Sequence, residues 1–451
     1  MRVVVVGGGI AGLAAARRLE QLVDSVEVTL LEPAGRVGGK LLTEDVDGFV
    51  IEGAADSFLS RKARGIGLCE ELGLGGELVG RRPENARSFV RIGRELHVLP
   101  EGLSGLIPTD LEALDGTTLL SEEGRERLAA EVDVPPAPRG GDESIASFFS
   151  RRLGREAYER IVEPLMAGIY GGDGEQLSLE ATFPQLHSLE LEHGSILRGL
   201  AERASAESRY PPFVSLRDGM QTLVDRLVSS LEHTALSTWP PTTVRATSGG
   251  YAVHGGEILE ADGVVIAAPA YAASSLVEEL DPELAHELAR IPYADSAIVA
   301  LGYRRADVRH SLDGYGYVVP AVEGSDVLAC TWSSSKWEGR APEENALLRV
   351  YLRRIARGAD ARLVAVARAE LRQLGIEAEP VVTRIHRWPR GMPQYVLGHP
   401  ERLERIDAAM SDHPGLALAG AAYRGVGIPD CIDSGERAAE SVIRALAGAR
   451  A

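Results

Sequence analysis

Three glycines placed directly behind five strand-forming residues limit this chain's fold more than any other feature of its sequence. Arg2-Val3-Val4-Val5-Val6 reads as a buried strand, and Gly7-Gly8-Gly9-Ile10-Ala11-Gly12 follows with no loop between. Ala and Leu then recur at helical spacing from Ile10 to Leu22, and residues 26–31 return to strand character. This is a βαβ opening with G-x-G-x-x-G at its first turn, the signature of a dinucleotide site. Gly7 permits the tight turn, Gly9 lets a pyrophosphate reach the backbone, and Gly12 lets helix and strand pack closely. With Gly8, Ile10 and Ala11 they present backbone N–H groups at the positive end of a helix, which favours phosphate. Glu32 stands twenty residues after Gly12, just past the second strand and before Pro33, where it can accept hydrogen bonds from a ribose hydroxyl.

The rest of the chain repeats this character in pieces. Gly263-Val264-Val265-Ile266 and Leu416-Ala417-Leu418-Ala419-Gly420 read as further buried strands, the last followed by a glycine loop and a helix from about Ser434 to Leu446. Apolar spacing between Gly65 and Gly80 predicts a short surface helix. Residues 109–209 carry helical periodicity with one Pro/Gly loop at 135–141, and residues 290–390 alternate as in a mixed sheet. The expected class is α/β. A discontinuous Rossmann-like domain takes 1–82, 213–270 and 391–451, a mixed-sheet domain takes 83–108 and 271–390, and 109–212 form a helical insertion. A chain of 451 residues is long enough for two or three such units.

Composition removes several alternatives. A net charge of -18 argues against nucleic acid as a partner, and an acidic substrate would need a local basic pocket. No run of about eighteen uncharged apolar residues is present, so no transmembrane helix is expected, and peripheral membrane contact is the most that remains. Cys69, Cys330 and Cys431 are widely spaced and lack metal-ligand spacing, which fits buried thiols in a reducing compartment. With a strand at its very start leaving no room for a cleavable signal, the chain is expected in the cytoplasm.

NAD and FAD share the first motif, and the run Gly35-Arg36-Val37-Gly38-Gly39-Lys40 separates them. Adjacent glycines let backbone lie along a pyrophosphate and ribityl chain, and Arg36 can add charge-assisted hydrogen bonds. The run resembles the G-R-x-G-G-[RK] continuation of amine-oxidase-like flavoproteins, which implies FAD.

The resemblance continues over nearly the whole chain, to the Gram-positive-type coproporphyrinogen III and protoporphyrinogen IX oxidases of that superfamily. Its segments are Glu52-Gly53-Ala54-Ala55-Asp56-Ser57-Phe58-Leu59, Glu163-Pro164-Leu165-Met166-Ala167-Gly168-Ile169-Tyr170-Gly171-Gly172-Asp173, Phe213-Val214-Ser215-Leu216-Arg217-Asp218-Gly219-Met220-Gln221, Met392-Pro393-Gln394-Tyr395 with Gly398-His399, and Gly420 to Ile432. It implies flavin contacts at Gly38, Gly39, Lys40, Gly53, Ala54, Ala55 and Asp56. Further contacts are implied at Val244, Trp388, Ala421, Val426, Gly427 and Ile428. Gly168, Val318 and Tyr351 match positions against the flat macrocycle, and Lys62, Arg87, Arg91, Arg94 and Arg353 are candidate partners for propionates.

The implied reaction oxidises coproporphyrinogen III to coproporphyrin III by three two-electron dehydrogenations for haem synthesis. Molecular oxygen is the acceptor, and contact with a downstream ferrochelatase is implied. The cofactor carries the redox chemistry, so no side chain is nominated as catalytic base, and His187, His386 and His399 read as structural. Mitochondrial and plastid protoporphyrinogen oxidases carry Asn-Arg-Phe where this chain has Ser88 before a strand over 89–99. That departure favours coproporphyrinogen III over protoporphyrinogen IX. A flavin amine oxidase or carotenoid-type desaturase, and a non-catalytic flavin-binding regulator, are competing readings. The Gly168-Ile169-Tyr170 segment argues against the first of them.

Overall fold

The computed structural model describes residues 1–114, 116–137, 141–202 and 209–448. Within the expected loop at 135–141, residues 138–140 lie outside the described residues.

Four consecutive valines make sense only in a strand covered on both faces. β1 (Arg2–Val6) pairs in parallel with β2 (Glu27–Leu31) on one side and with Gly263–Ile266 on the other. Thr234–Ser237 and Leu416–Leu418 complete a five-stranded parallel sheet at its two edges. Val3 and Val5 face α1 (Ile10–Leu22) and the C-terminal helix Ile428–Gly448. Val4 and Val6 face a three-stranded antiparallel layer over 243–261 and the helices Ala270–Val277 and Pro282–Ala289. Those two helices, which sequence spacing groups with the mixed sheet, therefore pack on the parallel one.

α1 and the C-terminal helix cross at close range. A Cβ on Gly435 would stand 2.0 Å from the carbonyl oxygen of Ala11, so no larger residue fits at the crossing. That helix begins at Ile428, several residues before the Ser434 expected from spacing, because Pro429 sits in its first turn where no N–H is required. The helix Ala63–Glu71 also departs from expectation: Leu68 and Cys69 are fully buried in the same cluster, so it is a core helix and not a surface one.

A seven-stranded sheet runs Val382–Pro393, Tyr293–Arg304, Asn345–Leu352, Val327–Trp332, Gly316–Val318, Phe89–Ile92, Glu95–Val98. All its pairs are antiparallel except Gly316–Val318 with Phe89–Ile92. Residues 89–98 thus form a hairpin turning at Gly93 and Arg94, where one strand was expected over 89–99. One face of the sheet packs on Asp360–Gln373 through Val299, Cys330, Leu348 and Val350. Helices from 122 to 202 enclose a separate apolar cluster around Phe148, Phe149 and Ile161. Inside it Arg152, fully buried, bonds to Glu131 and to the carbonyls of Val134 and Gly194 at 2.8 and 3.1 Å.

The three thiols are buried and unpaired, and burial pushes Cys69 and Cys431 up to about 12. Among the described residues no helix is long and apolar enough to cross a membrane.

The crossing gives a stability test. Gly435→Ala forces a methyl against backbone that cannot yield, and overpacking of this kind costs about 1–3 kcal/mol. The expected result is a lower melting temperature, while Gly448→Ala, with open space around it, changes nothing. Equal melting of Gly435→Ala and the parent protein would refute the close crossing.

Candidate flavin-binding crevice

The turn after β1 is held from two directions. Gly7 N–H donates to Leu31 O at 2.8 Å, and Gly7 has φ +107° with Ala267 O only 2.8 Å from where a Cβ would lie. The Glu32 carboxylate accepts from Gly8 N–H and Ala34 N–H, each at 2.9 Å, and each oxygen keeps a free lone pair for a hydroxyl. No side chain caps the N-terminus of α1 at Gly9, and a Cβ on Gly9 would meet nothing within 4 Å. The first turn of the helix therefore offers N–H groups to an open face, the arrangement that receives phosphate.

The second glycine loop docks on the first. Gly38 N–H donates to Gly8 O at 2.7 Å, and Gly9 and Gly38 form a parallel bridge. Arg36 has a part in the loop that the sequence alone did not show. Its guanidinium donates to Val37 O and Leu41 O at 3.1 and 3.2 Å and to Gly39 O, so it clamps its own loop while keeping its charge. Lys40 remains open to solvent although enough protein surrounds it for burial to lower its pKa. Pro33 is exposed, and Val244 packs its side chain with Val4 and Leu31.

Residues 52–56 form the adjoining wall. Trp388 Nε1–H donates to Gly53 O at 2.8 Å and Arg349 donates to Ala54 O. Glu52, buried, accepts from Met220 N–H at 2.9 Å and Thr43 Oγ1–H at 2.8 Å, with Arg340 at 3.5 Å. Asp56 was expected to touch the cofactor, but its carboxylate is occupied by the protein itself. Lys336 lies at 2.9 Å, Trp337 Nε1–H at 3.2 Å, Ser57 Oγ–H at 2.8 Å and Arg349 at 3.5 Å. Burial would raise this carboxyl, yet Lys336 and Arg349 outweigh burial and hold it below the usual carboxylate range. Lys336 escaped the sequence reading. One compositional signal marks it: of 48 basic residues only Lys40, Lys62 and Lys336 are lysine, and all three surround this crevice.

The C-terminal loop closes the crevice. Gly420 N–H donates to Ser434 Oγ at 3.0 Å and Gly427 N–H to Asp430 Oδ2 at 3.1 Å. Tyr395 ties this loop together, its hydroxyl donating to Ala421 O at 2.7 Å and accepting from Gly425 N–H at 2.8 Å. Gln394 beside it donates from Nε2 to Tyr170 O at 2.9 Å, which joins the loop to the helical unit. Val426 also packs on the helical cluster, and Ile428 opens the C-terminal helix.

Residues 10–443 match the family described as flavin containing amine oxidoreductase. The chain is 36% identical to the coproporphyrinogen III oxidase of Bacillus subtilis (strain 168), over 98% of each protein. It is 30% identical to the chloroplastic protoporphyrinogen oxidase of Nicotiana tabacum, over 97% of this chain and 85% of that one. A crystal structure from Exiguobacterium sp. 255-15, provisionally named protoporphyrinogen oxidase, superposes with TM-score 0.86 at 32% identity and 98% coverage of both. The chain belongs to the flavin containing amine oxidoreductase family, within its porphyrinogen-oxidase branch. It is an oxidoreductase and its cofactor is FAD. The uncapped helix end, the open Gly9 face and the free lone pairs on Glu32 fit that dinucleotide.

The porphyrinogen-oxidase positions expected to contact substrate separate into three groups. Val318 and Tyr351 lie in register through Ala329, which no expectation named, across three adjacent strands of the seven-stranded sheet. The Tyr351 ring carries the Arg349 guanidinium 5.2 Å above it, and Val318 packs toward the helical unit. Gly168 is exposed near the end of helix Glu163–Tyr170, which lies over the strands Gly316–Val318 and Val327–Trp332. A Cβ there would meet nothing within 4 Å, so nothing in the protein itself requires glycine.

The candidate cations behave differently. Arg91 is a correction: strand alternation puts it on the buried face with Phe89, where it bonds Glu370 at 2.6 Å, away from the crevice. Arg87 is an exposed ion-pair partner of Asp313, and Arg94 sits exposed in the hairpin turn. Lys62 grips Asp430 at 2.5 and 2.7 Å, linking helix Ala63–Glu71 to the flavin-side loop. Arg353 donates to Ser325 O and Val319 O, both at 3.3 Å.

His399 sets a pH dependence. Its fully buried ring stacks on Tyr395 at 4.3 Å, Nε2–H donates to Tyr423 O at 3.0 Å, and Nδ1 has no partner among the described residues. Burial lowers its pKa, and the nearby Arg402 and Arg424 act in the same direction against the Tyr423 carbonyl and Asp142. The unfolded chain therefore takes the proton more readily. This contribution is fully present above the ordinary imidazole value of about 6.5 and is lost as pH falls from there toward the lowered value. Melting temperature should drop between about pH 7 and pH 5, with a smaller slope in His399→Gln, and an identical slope in both proteins would contradict the assignment.

Proposed function

We propose that this chain oxidises coproporphyrinogen III to coproporphyrin III in haem synthesis, with the parallel-sheet unit holding FAD and the mixed-sheet and helical units holding the macrocycle. The supporting observation is the opening beside Gly168, over the strands that carry the Val318–Ala329–Tyr351 row and joined by Gln394 to the flavin-side loop. The full-length likeness to proteins named coproporphyrinogen III oxidase agrees with it.

Bound FAD supplies the two-electron acceptor. The protein's own part would be to hold the macrocycle beside that cofactor, against the Tyr351 row and the open side of Gly168. Six hydrogens leave the macrocycle in three steps. With molecular oxygen as final acceptor, each step is matched by one oxygen reduced to hydrogen peroxide. The reaction belongs in the cytoplasm on this reading, and its product is consumed by metal insertion, the step at which contact with a ferrochelatase would arise. Ser88, in place of an arginine, favours coproporphyrinogen III over protoporphyrinogen IX.

Anaerobic mixing of the yellow holoprotein with coproporphyrinogen III should bleach the flavin, and air should then release porphyrin fluorescence with three peroxides per porphyrin. A higher kcat/KM for protoporphyrinogen IX would overturn the substrate choice, and an unbleached flavin with either would overturn the activity. Gly168→Val should keep FAD and melting temperature while lowering kcat/KM by about tenfold or more, because its branches enter the space claimed for the macrocycle.

A further inference from the structure

The strand Leu78–Gly80 pairs with Phe213–Leu216, and the chain leaving it runs along the crevice wall. Arg82 N–H donates to Lys336 O at 3.0 Å, and Tyr315 Oη–H donates to Arg82 O at 2.9 Å. These two bonds fix the backbone of Arg82, and with it the direction of Arg81. The Arg81 guanidinium lies 4.9 Å from the ring centre of Phe213 and 4.6 Å from that of Tyr315. It is half-buried, and among the described residues it makes no ion pair and no hydrogen bond.

Acidic residues outnumber basic ones 66 to 48 in this chain, yet among the described residues the half-buried Arg81 is held by two rings and by no carboxylate. The acid nearest to Arg81 electrostatically is Asp56, whose oxygens are already taken by Lys336, Trp337, Ser57 and Arg349. At this wall Arg81, Lys336, Arg340 and Arg349 stand beside Glu52 and Asp56, with Asp218 acting on Arg340. Two aromatic rings are a good cradle for a guanidinium, but they satisfy its faces and leave the N–H edge free. That edge matches a carboxylate bidentately.

We propose that Arg81 anchors a carboxylate of the substrate at the rim of the crevice, and so selects a planar ligand that carries acidic side arms. This rests on the tetrapyrrole reading of the site. The rings of Phe213 and Tyr315 hold the plane of the fork, and its unpaired N–H edge receives the acid. The same wall continues through Asp56 and Arg349 to Tyr351, so an arm held at Arg81 belongs to a macrocycle lying on the Tyr351 row.

The test uses holoprotein and two product-like probes, coproporphyrin III and its tetramethyl ester, with binding followed by porphyrin fluorescence. The parent protein should prefer the free acid. Arg81→Met keeps the apolar stem between the two rings and removes the charge. It should weaken binding of the acid by about tenfold or more and leave the ester unchanged, as loss of one charge-assisted pair implies. In turnover the loss should fall on KM. Arg81→Lys, which keeps charge without the fork, should lie between, and it carries the test if Arg81→Met loses its flavin. An acid-to-ester ratio equal to that of the parent protein in both variants would overturn the assignment of Arg81 alone. Failure of the parent protein to bind either porphyrin would instead overturn the tetrapyrrole reading, and this proposal with it.

Discussion

The contact between Gly435 and Ala11 is the constraint on which the rest of the structure depends. It lets the C-terminal helix lie directly on α1, so the loop that precedes that helix arrives beside the glycine turn that opens the chain. Neither loop makes a dinucleotide site alone. Strand order reinforces the point, since β1 sits in the middle of a sheet whose outer strands come from residues 234–237 and 416–418. In parallel α/β sheets the carboxyl ends of the strands form the binding crevice, and here those ends gather loops from both termini.

A second level of order is electrostatic. Glu52 and Asp56 are buried within a few residues of one another, where a lone carboxylate would protonate or unfold its surroundings. Arg340 answers the first, and Lys336 with Arg349 answers the second. Because Arg349 also reaches the Ala54 carbonyl and lies over Tyr351, one guanidinium connects the crevice wall to the Val318–Ala329–Tyr351 row. Removing it would disturb both at once.

Much of this was legible in the amino acids. The glycine turn, Glu32 and the βαβ opening were readable because close backbone approach admits almost no alternative to glycine, and paired faces leave a run of valines. Gly168 and Tyr351 were singled out through family resemblance alone, and their contact with substrate belongs to the proposed function. Arg36, Asp56 and Arg91 have partners within the protein that were not foreseen, for one shared reason. A charged residue in a motif looks free in sequence, and only the fold shows which carbonyl, ammonium or carboxylate has already claimed it. Strand alternation could have flagged Arg91, because Phe89 and Arg91 must share a face. Tyr395 was quoted in a family segment without a role and Lys336 was overlooked, because positioning residues act through others and carry no reactive signature of their own.

The placement of β1 also bears on how the molecule comes into being. A ribosome delivers the first strand long before its partner at 263–266 and the edge strand at 416–418, so the sheet stays unfinished until nearly the entire polypeptide has emerged. Cofactor loading must then be a late event in biogenesis. Until it occurs, the valine-rich opening segment is an aggregation hazard that needs shelter from a chaperone or from its own helix.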